Sequence, residues 1–291
     1  MLTKPPEVIC LDCHTALKES LAKGEVHAPV KDGKCVACHE VHAGTHKALL
    51  LADKKSLCGK CHDLTSPTMH TAHKGFDITQ ADCQSCHAPH VGQKGTKGLL
   101  LPRSHKPFAL GQCDGCHQDS SPTQFVASGV QLCAKCHDDA TKKTANPVVH
   151  PALEGENSCT ACHSPHAGFG AGLQKKDGVQ QCLSCHNSRE FTGPVKHAPA
   201  FEDCGTCHNP HSSQYKNLLD TQDVMKLCLG CHENAQKTHF HPMGAGVLDP
   251  RTRTELICTG CHSPHSTTEK NLLIADKTRK LCNLCHGTEH E

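Results

Sequence analysis

The sequence predicts a mostly irregular, partly α-helical chain with short helices and little or no β-sheet. Three observations lead there. Twelve Cys-x-x-Cys-His motifs punctuate 291 residues and use all 24 cysteines. Aromatic residues make up 3% of the chain, with no Trp and a single Tyr, Tyr215, too few for an ordinary aromatic-rich core. No apolar run approaches the length needed to span a bilayer.

Cys-x-x-Cys-His is the attachment site of c-type haem. Each sulfur adds to one vinyl group of the porphyrin, and the histidine takes one axial position on the iron. On a helical turn, residues i, i+3 and i+4 share one face, so one turn can staple and ligate one macrocycle. In order the motifs are Cys10, Cys13 and His14; Cys35, Cys38 and His39; Cys58, Cys61 and His62; Cys83, Cys86 and His87; Cys113, Cys116 and His117; Cys133, Cys136 and His137. They continue with Cys159, Cys162 and His163; Cys182, Cys185 and His186; Cys204, Cys207 and His208; Cys228, Cys231 and His232; Cys258, Cys261 and His262; Cys282, Cys285 and His286. Structural zinc uses paired cysteines but does not require a histidine after every pair. A disulfide framework suits an even cysteine count but explains neither the spacing nor the histidine. Thioredoxin-like pairs come once per domain within a strand–helix pattern, which is absent.

Twelve covalent haem c groups are therefore expected, one per roughly 24 residues. Porphyrin burial supplies the apolar area that side chains do not. So little polypeptide per haem, in units that each contact their neighbours, predicts an elongated, haem-stacked array that follows sequence order, with the haems of Cys10 and Cys282 near opposite ends. The polypeptide carries a formal charge of +1, which makes no case for nucleic acid. Two propionates and one iron–porphyrin positive charge per haem bring the loaded protein to roughly −11.

The motifs are not equivalent. Five extend to Cys-x-x-Cys-His-x-x-His, ending at His42, His90, His166, His211 and His265. Pro89, Pro165, Pro210 and Pro264 precede four of these second histidines, and Val41 precedes the fifth. Each extended motif is followed by a plain one, which gives five pairs: motifs 2–3, 4–5, 7–8, 9–10 and 11–12. Motifs 1 and 6 stand alone. The grammar is then a duplication with one added pair, and it divides the chain into a pentahaem unit, residues 1–120, and a heptahaem unit, residues 121–291. The polar segment after His117, containing Pro122, marks the boundary. Between the members of a pair, LLLADKKSLCGKCH, LLDTQDVMKLCLGCH and LLIADKTRKLCNLCH read as a leucine pair against haem, then a short helix carrying the second motif. Asp53, Asp177 and Asp223 sit where a helix N-cap belongs.

Fifteen histidines lie outside the motifs, and twelve are needed if every iron takes a second histidine. His42, His90, His166, His211 and His265 cannot reach the far side of the haem whose proximal ligand lies three residues earlier, but they can reach an adjacent haem. His27, His73, His150, His197 and His241 form a second set upstream of the pairs. His239 completes the second half, with His290 in excess. His46, His70 and His105 compete for one place in the first half, and His105 is taken. Met69 and Met243 are alternative sixth ligands that would raise a local potential.

The paired grammar, with Cys-x-x-Cys-His-x-Pro-His heading the pairs, resembles the periplasmic pentahaem electron carriers of nitrite reduction. It is more similar to the decahaem MtrA/DmsE-type cytochromes, which read as two such units; this chain departs from them by carrying twelve motifs. The resemblance implies a wire of bis-histidine haems, with other cytochromes as electron donor and acceptor and an outer-membrane β-barrel porin as a partner. It implies a periplasmic or outer-membrane-associated protein serving extracellular electron transfer or anaerobic respiration. Because haem c is assembled outside the cytoplasm, export is expected. The opening Met-Leu-Thr-Lys-Pro-Pro-Glu has no apolar signal region, so the signal lies outside this numbering. An electron-transfer protein rather than an enzyme is expected. The alternatives are a multihaem reductase with one open haem site and a subunit of an extracellular cytochrome filament. No motif carries the Lys-for-His exchange that marks the active haem of multihaem nitrite reductases.

Overall fold

A computed structural model of the chain describes residues 5–287, except 96, 120, 122, 140, 155–157, 171 and 240. Pro122 and His290 lie outside the described residues. By spatial contact the chain forms two compact units, Met1–Leu132 with Cys159–Lys176, and Cys133–Ser158 with Asp177–Glu291. The sequence boundary at 121 falls inside the first of these.

Short helices, tight turns and two-residue strands make up both units. Pro6–Cys13, eight residues, is the longest helix among the described residues. None of these helices is long and apolar enough to cross a membrane. The polypeptide buries little against itself. Among the described residues only Leu101, Ala167 and Leu256 are fully buried apolar side chains, where a chain of this length ordinarily builds a core.

The twelve motifs are built in two ways. Six sit on α-helices: Pro6–Cys13, Lys54–Gly59, Gly129–Ala134, Val179–Leu183, Val224–Leu229 and Lys280–His286. The other six form single 3₁₀ turns, at Cys35–Ala37, Cys83–Ser85, Cys113–Gly115, Cys159–Ala161, Cys204–Thr206 and Cys258–Gly260. The turn build includes motif 5, which lacks the second histidine and reads as plain in sequence. Turn and helix builds therefore alternate through motifs 2–3, 5–6, 7–8, 9–10 and 11–12. Motifs 1 and 4 are the single ones, so the sequence pairing of 4 with 5 is replaced by 5 with 6.

Two of the three expected N-caps form. The Asp53 carboxylate accepts from the Ser56 amide at 3.0 Å, and Asp223 accepts from the Lys226 amide at 2.9 Å. These bonds hold the Asp53 carboxyl below its ordinary range. At the third site the helix Val179–Leu183 is preceded by Gly178, at φ 46°, with no side-chain cap. Asp177 instead offers its backbone carbonyl to Gln180 N–H. Gly178 turns the chain one residue later than the Asp signal indicates.

Among the described residues eight two-residue strands pair as four antiparallel ladders. β1 (Glu25–Val26) pairs with β2 (Val91–Gly92), and β3 (Arg103–Ser104) with β5 (Ala167–Gly168). β4 (Val148–Val149) pairs with β7 (Ser212–Ser213), and β6 (Val195–Lys196) with β8 (Ser266–Thr267). One strand of each ladder runs into an upstream histidine, and the other leaves the second histidine of an extended motif.

Candidate haem-binding site

Each motif is one closed turn. From His14 to His262 the motif histidine N–H donates to the carbonyl of the first cysteine, at 2.9–3.1 Å. This puts two sulfurs and one imidazole on a single face, as thioether attachment and axial ligation of one porphyrin require.

In the six turn-built motifs a second bond fixes the imidazole. His39 Nδ1 pairs with the Ala48 carbonyl at 2.9 Å, His117 with Ser121 at 2.9 Å, His208 with Asn217 at 2.8 Å and His262 with Asn271 at 2.9 Å. His87 and His163 pair likewise with the carbonyls of Gly98 and Gly172. A carbonyl only accepts, so Nδ1 carries the proton and Nε2 keeps its lone pair for a metal. Except at Ser121, the accepting residue has positive φ, between 59° and 78°: Ala48, Gly98, Gly172, Asn217 and Asn271. The following leucine, Leu49, Leu99, Leu173, Leu218 or Leu272, is also left-handed. The next residue bridges back to the motif histidine, as Leu50 does to His39 and Leu273 to His262. The leucine pairs of the sequence are thus turns that clamp the proximal imidazole. The ladders pass close over these turns. A Cβ on Gly92 would come within 2.5 Å of the Leu99 backbone, and one on Gly168 within 2.6 Å of Leu173.

Among the described residues, nine motif histidines are seen to face a histidine from outside the motifs. The ring-centre separations are 6.1 Å for His27–His62, 5.9 Å for His39–His90, 6.1 Å for His73–His87 and 5.9 Å for His117–His166. They are 6.0 Å for His150–His186, 6.1 Å for His197–His232 and 6.1 Å for His208–His265. His239–His262 stand 6.0 Å apart and His241–His286 6.1 Å. Metal–imidazole bonds are about 2.0–2.1 Å; two of them in line, plus two ring radii, come to roughly 6 Å. A spread of 0.2 Å over nine pairs has no other reason in a chain with so little packing. The residues fit haem iron held between two histidines.

The ladders supply many of these facing rings. His27 N–H donates to the His90 carbonyl at 2.9 Å, His105 to His166 at 2.8 Å, His150 to His211 at 2.9 Å and His197 to His265 at 2.8 Å. His105 and His211 are thereby placed on ladders, while His42, His46 and His70 lie elsewhere on the first unit. Burial lowers the pKa of His90, His166 and His265 and so favours their neutral form. At His265 the neighbouring His208 adds to that shift and Glu190 opposes it. The Met69 carbonyl accepts from His73 Nδ1 at 2.8 Å.

Successive attachment points also meet. Burial raises the Cys228 thiol to about 11, and the adjoining Cys258 of the next motif adds to the shift. Cys58 and Cys83 make the equivalent contact between motifs 3 and 4. Beside motifs 11 and 12, Asp249 is 4% exposed. Arg251 Nε donates to its carboxylate at 2.9 Å, and the other guanidinium edge reaches the Gly260 carbonyl at 2.7 Å. The guanidinium holds the Asp249 carboxyl down to about 2.

The carbonyl clamps are the functional groups that reading for side chains misses. Their signal is a Gly or Asn immediately before the leucine, nine residues after the motif histidine in three of the repeats (His163, His208 and His262).

Comparison with known proteins agrees with this geometry. The doubled CXXCH motif family matches residues 27–66, 105–142, 150–191, 197–237 and 250–291, with 105–142 covering motifs 5 and 6. Multiheme cytochrome MtrA of Shewanella baltica is 27% identical over 231 residues, 65% of this chain and 67% of that protein. High-molecular-weight cytochrome c of Nitratidesulfovibrio vulgaris is 22% identical over 283 residues, 87% of this chain; the chain spans about half (49%) of that protein's length. Cytochrome c-type protein NrfB of Escherichia coli is 27% identical over 139 residues, 40% of this chain and 69% of that protein. With the family matched over more than half of its length, the chain belongs to the doubled CXXCH motif proteins and is a multihaem c-type cytochrome.

Proposed function

We propose that the chain is a dodecahaem electron-transfer wire working between the periplasm and the outer membrane or cell exterior, in anaerobic respiration or extracellular electron transfer. The nine imidazole pairs at 5.9–6.1 Å carry the reading. Haem c supplies a one-electron ferric/ferrous couple when bound. Histidine on both faces leaves no position for substrate and keeps the coordination alike in both oxidation states. The touching cysteines of motifs 3 and 4, and of 10 and 11, hold consecutive attachment edges together, which short hops require. His42, His105 and His211 complete the twelve sixth ligands. Other cytochromes serve as donor and acceptor, and a β-barrel porin is the proposed outer-membrane partner. The two-unit division at 121 stays a proposal about descent.

One observation favours the second reading, a reductase with one open haem. Among the described residues no imidazole faces His14 at the spacing of the nine pairs, although His42 lies in the same unit. Intact mass and carbon monoxide binding test both readings. The wire predicts twelve haem units above the polypeptide mass and no CO adduct on the native reduced protein. Fewer haems in fully matured protein, or stoichiometric CO binding, would overturn it.

A further inference from the structure

The nine pairs fall into two groups by the angle between their imidazole planes. Five are near parallel: 18° for His27–His62, 23° for His39–His90, 17° for His117–His166, 27° for His197–His232 and 26° for His208–His265. Four are crossed: 64° for His73–His87, 72° for His150–His186, 73° for His239–His262 and 62° for His241–His286. No pair lies between 27° and 62°.

At six of the nine non-motif histidines an Nδ1 hydrogen bond follows the same division. In the parallel group every such histidine belongs to a ladder. His27 Nδ1 bonds to the Pro89 carbonyl at 3.0 Å and His197 Nδ1 to Pro264 at 2.9 Å. The same two ladders carry His90 and His265. In the crossed group three histidines are off the ladders and bond to carbonyls of their own segment. His73 bonds to Met69, His239 to Ala235 at 2.7 Å and His241 to Pro242 at 2.9 Å. The fourth, His150, is on a ladder, but its Nδ1 faces the Ala152 amide at 3.1 Å instead of a carbonyl across the ladder. Its ring is turned, and its pair is crossed.

We propose that the cross-ladder proline carbonyls, Pro89 and Pro264, are positioning groups that set the imidazole planes of His27 and His197 parallel to their partners His62 and His232. The interplanar angles divide the haems into a parallel-ligand class, at His39, His62, His117, His208 and His232, and a crossed-ligand class, at His87, His186, His262 and His286. The inference rests on the bis-histidine reading above. Its electronic consequence follows from orbital overlap. Parallel imidazoles both donate into one iron dπ orbital, raise it, and stabilise the ferric hole placed there. Crossed imidazoles raise two dπ orbitals equally, so the ferric state gains less. Within each unit the crossed haems take up electrons first. In the second unit those at His186, His262 and His286 fill before those at His208 and His232.

Electron paramagnetic resonance of the ferric holoprotein tests this, combined with a potentiometric titration. Two low-spin signals are expected, a rhombic one and a strongly anisotropic one with large gmax. The nine assigned haems contribute five and four to them. The anisotropic signal disappears first on reduction. His239→Met removes one of the four anisotropic contributions, and His197→Met removes one of the five rhombic contributions. A single low-spin class, a rhombic signal that reduces first, or loss of the wrong signal in either variant overturns the proposal and leaves bis-histidine ligation standing. High-spin ferric signals from the native protein overturn the bis-histidine reading itself.

Discussion

Replacing Asn271 with valine tests the clamp on the proximal imidazole. Asn271 sits at φ 60° and its carbonyl accepts from His262 Nδ1 at 2.9 Å. Left-handed backbone costs a residue with a side chain about 1–2 kcal/mol. Asparagine is among the residues that tolerate it, while a β-branched residue there is an outlier. A chain that relaxes out of the left-handed region also turns the carbonyl away, which removes a hydrogen bond with a net contribution of about 1 kcal/mol. Asn271→Val should therefore destabilise the ferric holoprotein by about 2–3 kcal/mol, read from the denaturant midpoint of the Soret band. Losing the Nδ1–carbonyl bond also weakens imidazole basicity, so the haem at His262 should rise in potential. Asn271→Gly keeps the turn and should change neither quantity appreciably. Ala48, at φ 59° in the equivalent turn, gives the opposite sign. Ala48→Gly relieves the left-handed cost, offset by about 0.5–1 kcal/mol of glycine chain entropy, so it should be neutral or stabilising by up to about 1 kcal/mol. If Asn271→Val and Asn271→Gly have the same midpoint and the same potentials, the clamp does not position the ligand.

Three further outcomes follow from single side chains. Asp223→Ala should cost about 1 kcal/mol because it removes a helix cap, whereas Asp177→Ala, which caps nothing through its side chain, should stay within about 0.5 kcal/mol; equal midpoints would contradict the capping assignment. The Arg251 guanidinium holds folded Asp249 down to about 2, below its ordinary 3.8, so its contribution is complete only above about pH 5. That contribution is lost as pH falls toward 2, and Asp249→Asn should flatten the acid limb of an acid-unfolding curve. His166→Ala should leave the covalent haem count unchanged and open the iron held by His117, giving one CO-binding site per molecule; a fully six-coordinate variant without a replacement ligand would exclude that pairing.

Much of the site was legible because its chemistry is local. A motif that closes in five residues declares its sulfurs and its proximal imidazole in the sequence alone. The surplus histidines were legible as a set, since their number nearly matches the irons. Which iron each one faces was not, because it depends on ladders between residues 60 to 80 positions apart, such as His27 with His90. Pairing by the second histidine failed at motif 5. The property that makes a turn-built motif is the backbone after it, with Nδ1 bonded to Ser121 and His117 bridged to Phe125, and no side-chain pattern announces that. The Asp177 cap failed for a related reason, since Gly178 in the left-handed region resets where the helix starts.

The ladder explains why the motifs come in pairs. A two-residue strand pair is too small to be stable alone, yet four of them recur next to histidines. Each ladder ends in two histidines joined by one backbone bond, and on two of the ladders these face two different motif histidines. On β1–β2, His27 faces His62 and His90 faces His39, so in the proposed bis-histidine reading one ladder would hold the sixth ligands of both haems in motifs 2 and 3. On β6–β8, His197 faces His232 and His265 faces His208, serving motifs 9 and 10 in the same way. Ladder and haem pair are then mutually dependent. The ladder fixes where the two imidazoles stand, and ligation of two irons would supply the binding energy that so short a strand pair lacks. The second histidine of each ladder comes from the first extended motif beyond the pair that the ladder adjoins. A pair is therefore complete only when the following repeat has folded onto it, which makes the array cooperative between neighbours. At motifs 11 and 12 both facing histidines, His239 and His241, come from the segment just upstream. There the Asp249–Arg251 pair, bonded to the Gly260 carbonyl inside motif 11, braces the attachment loop where no ladder does.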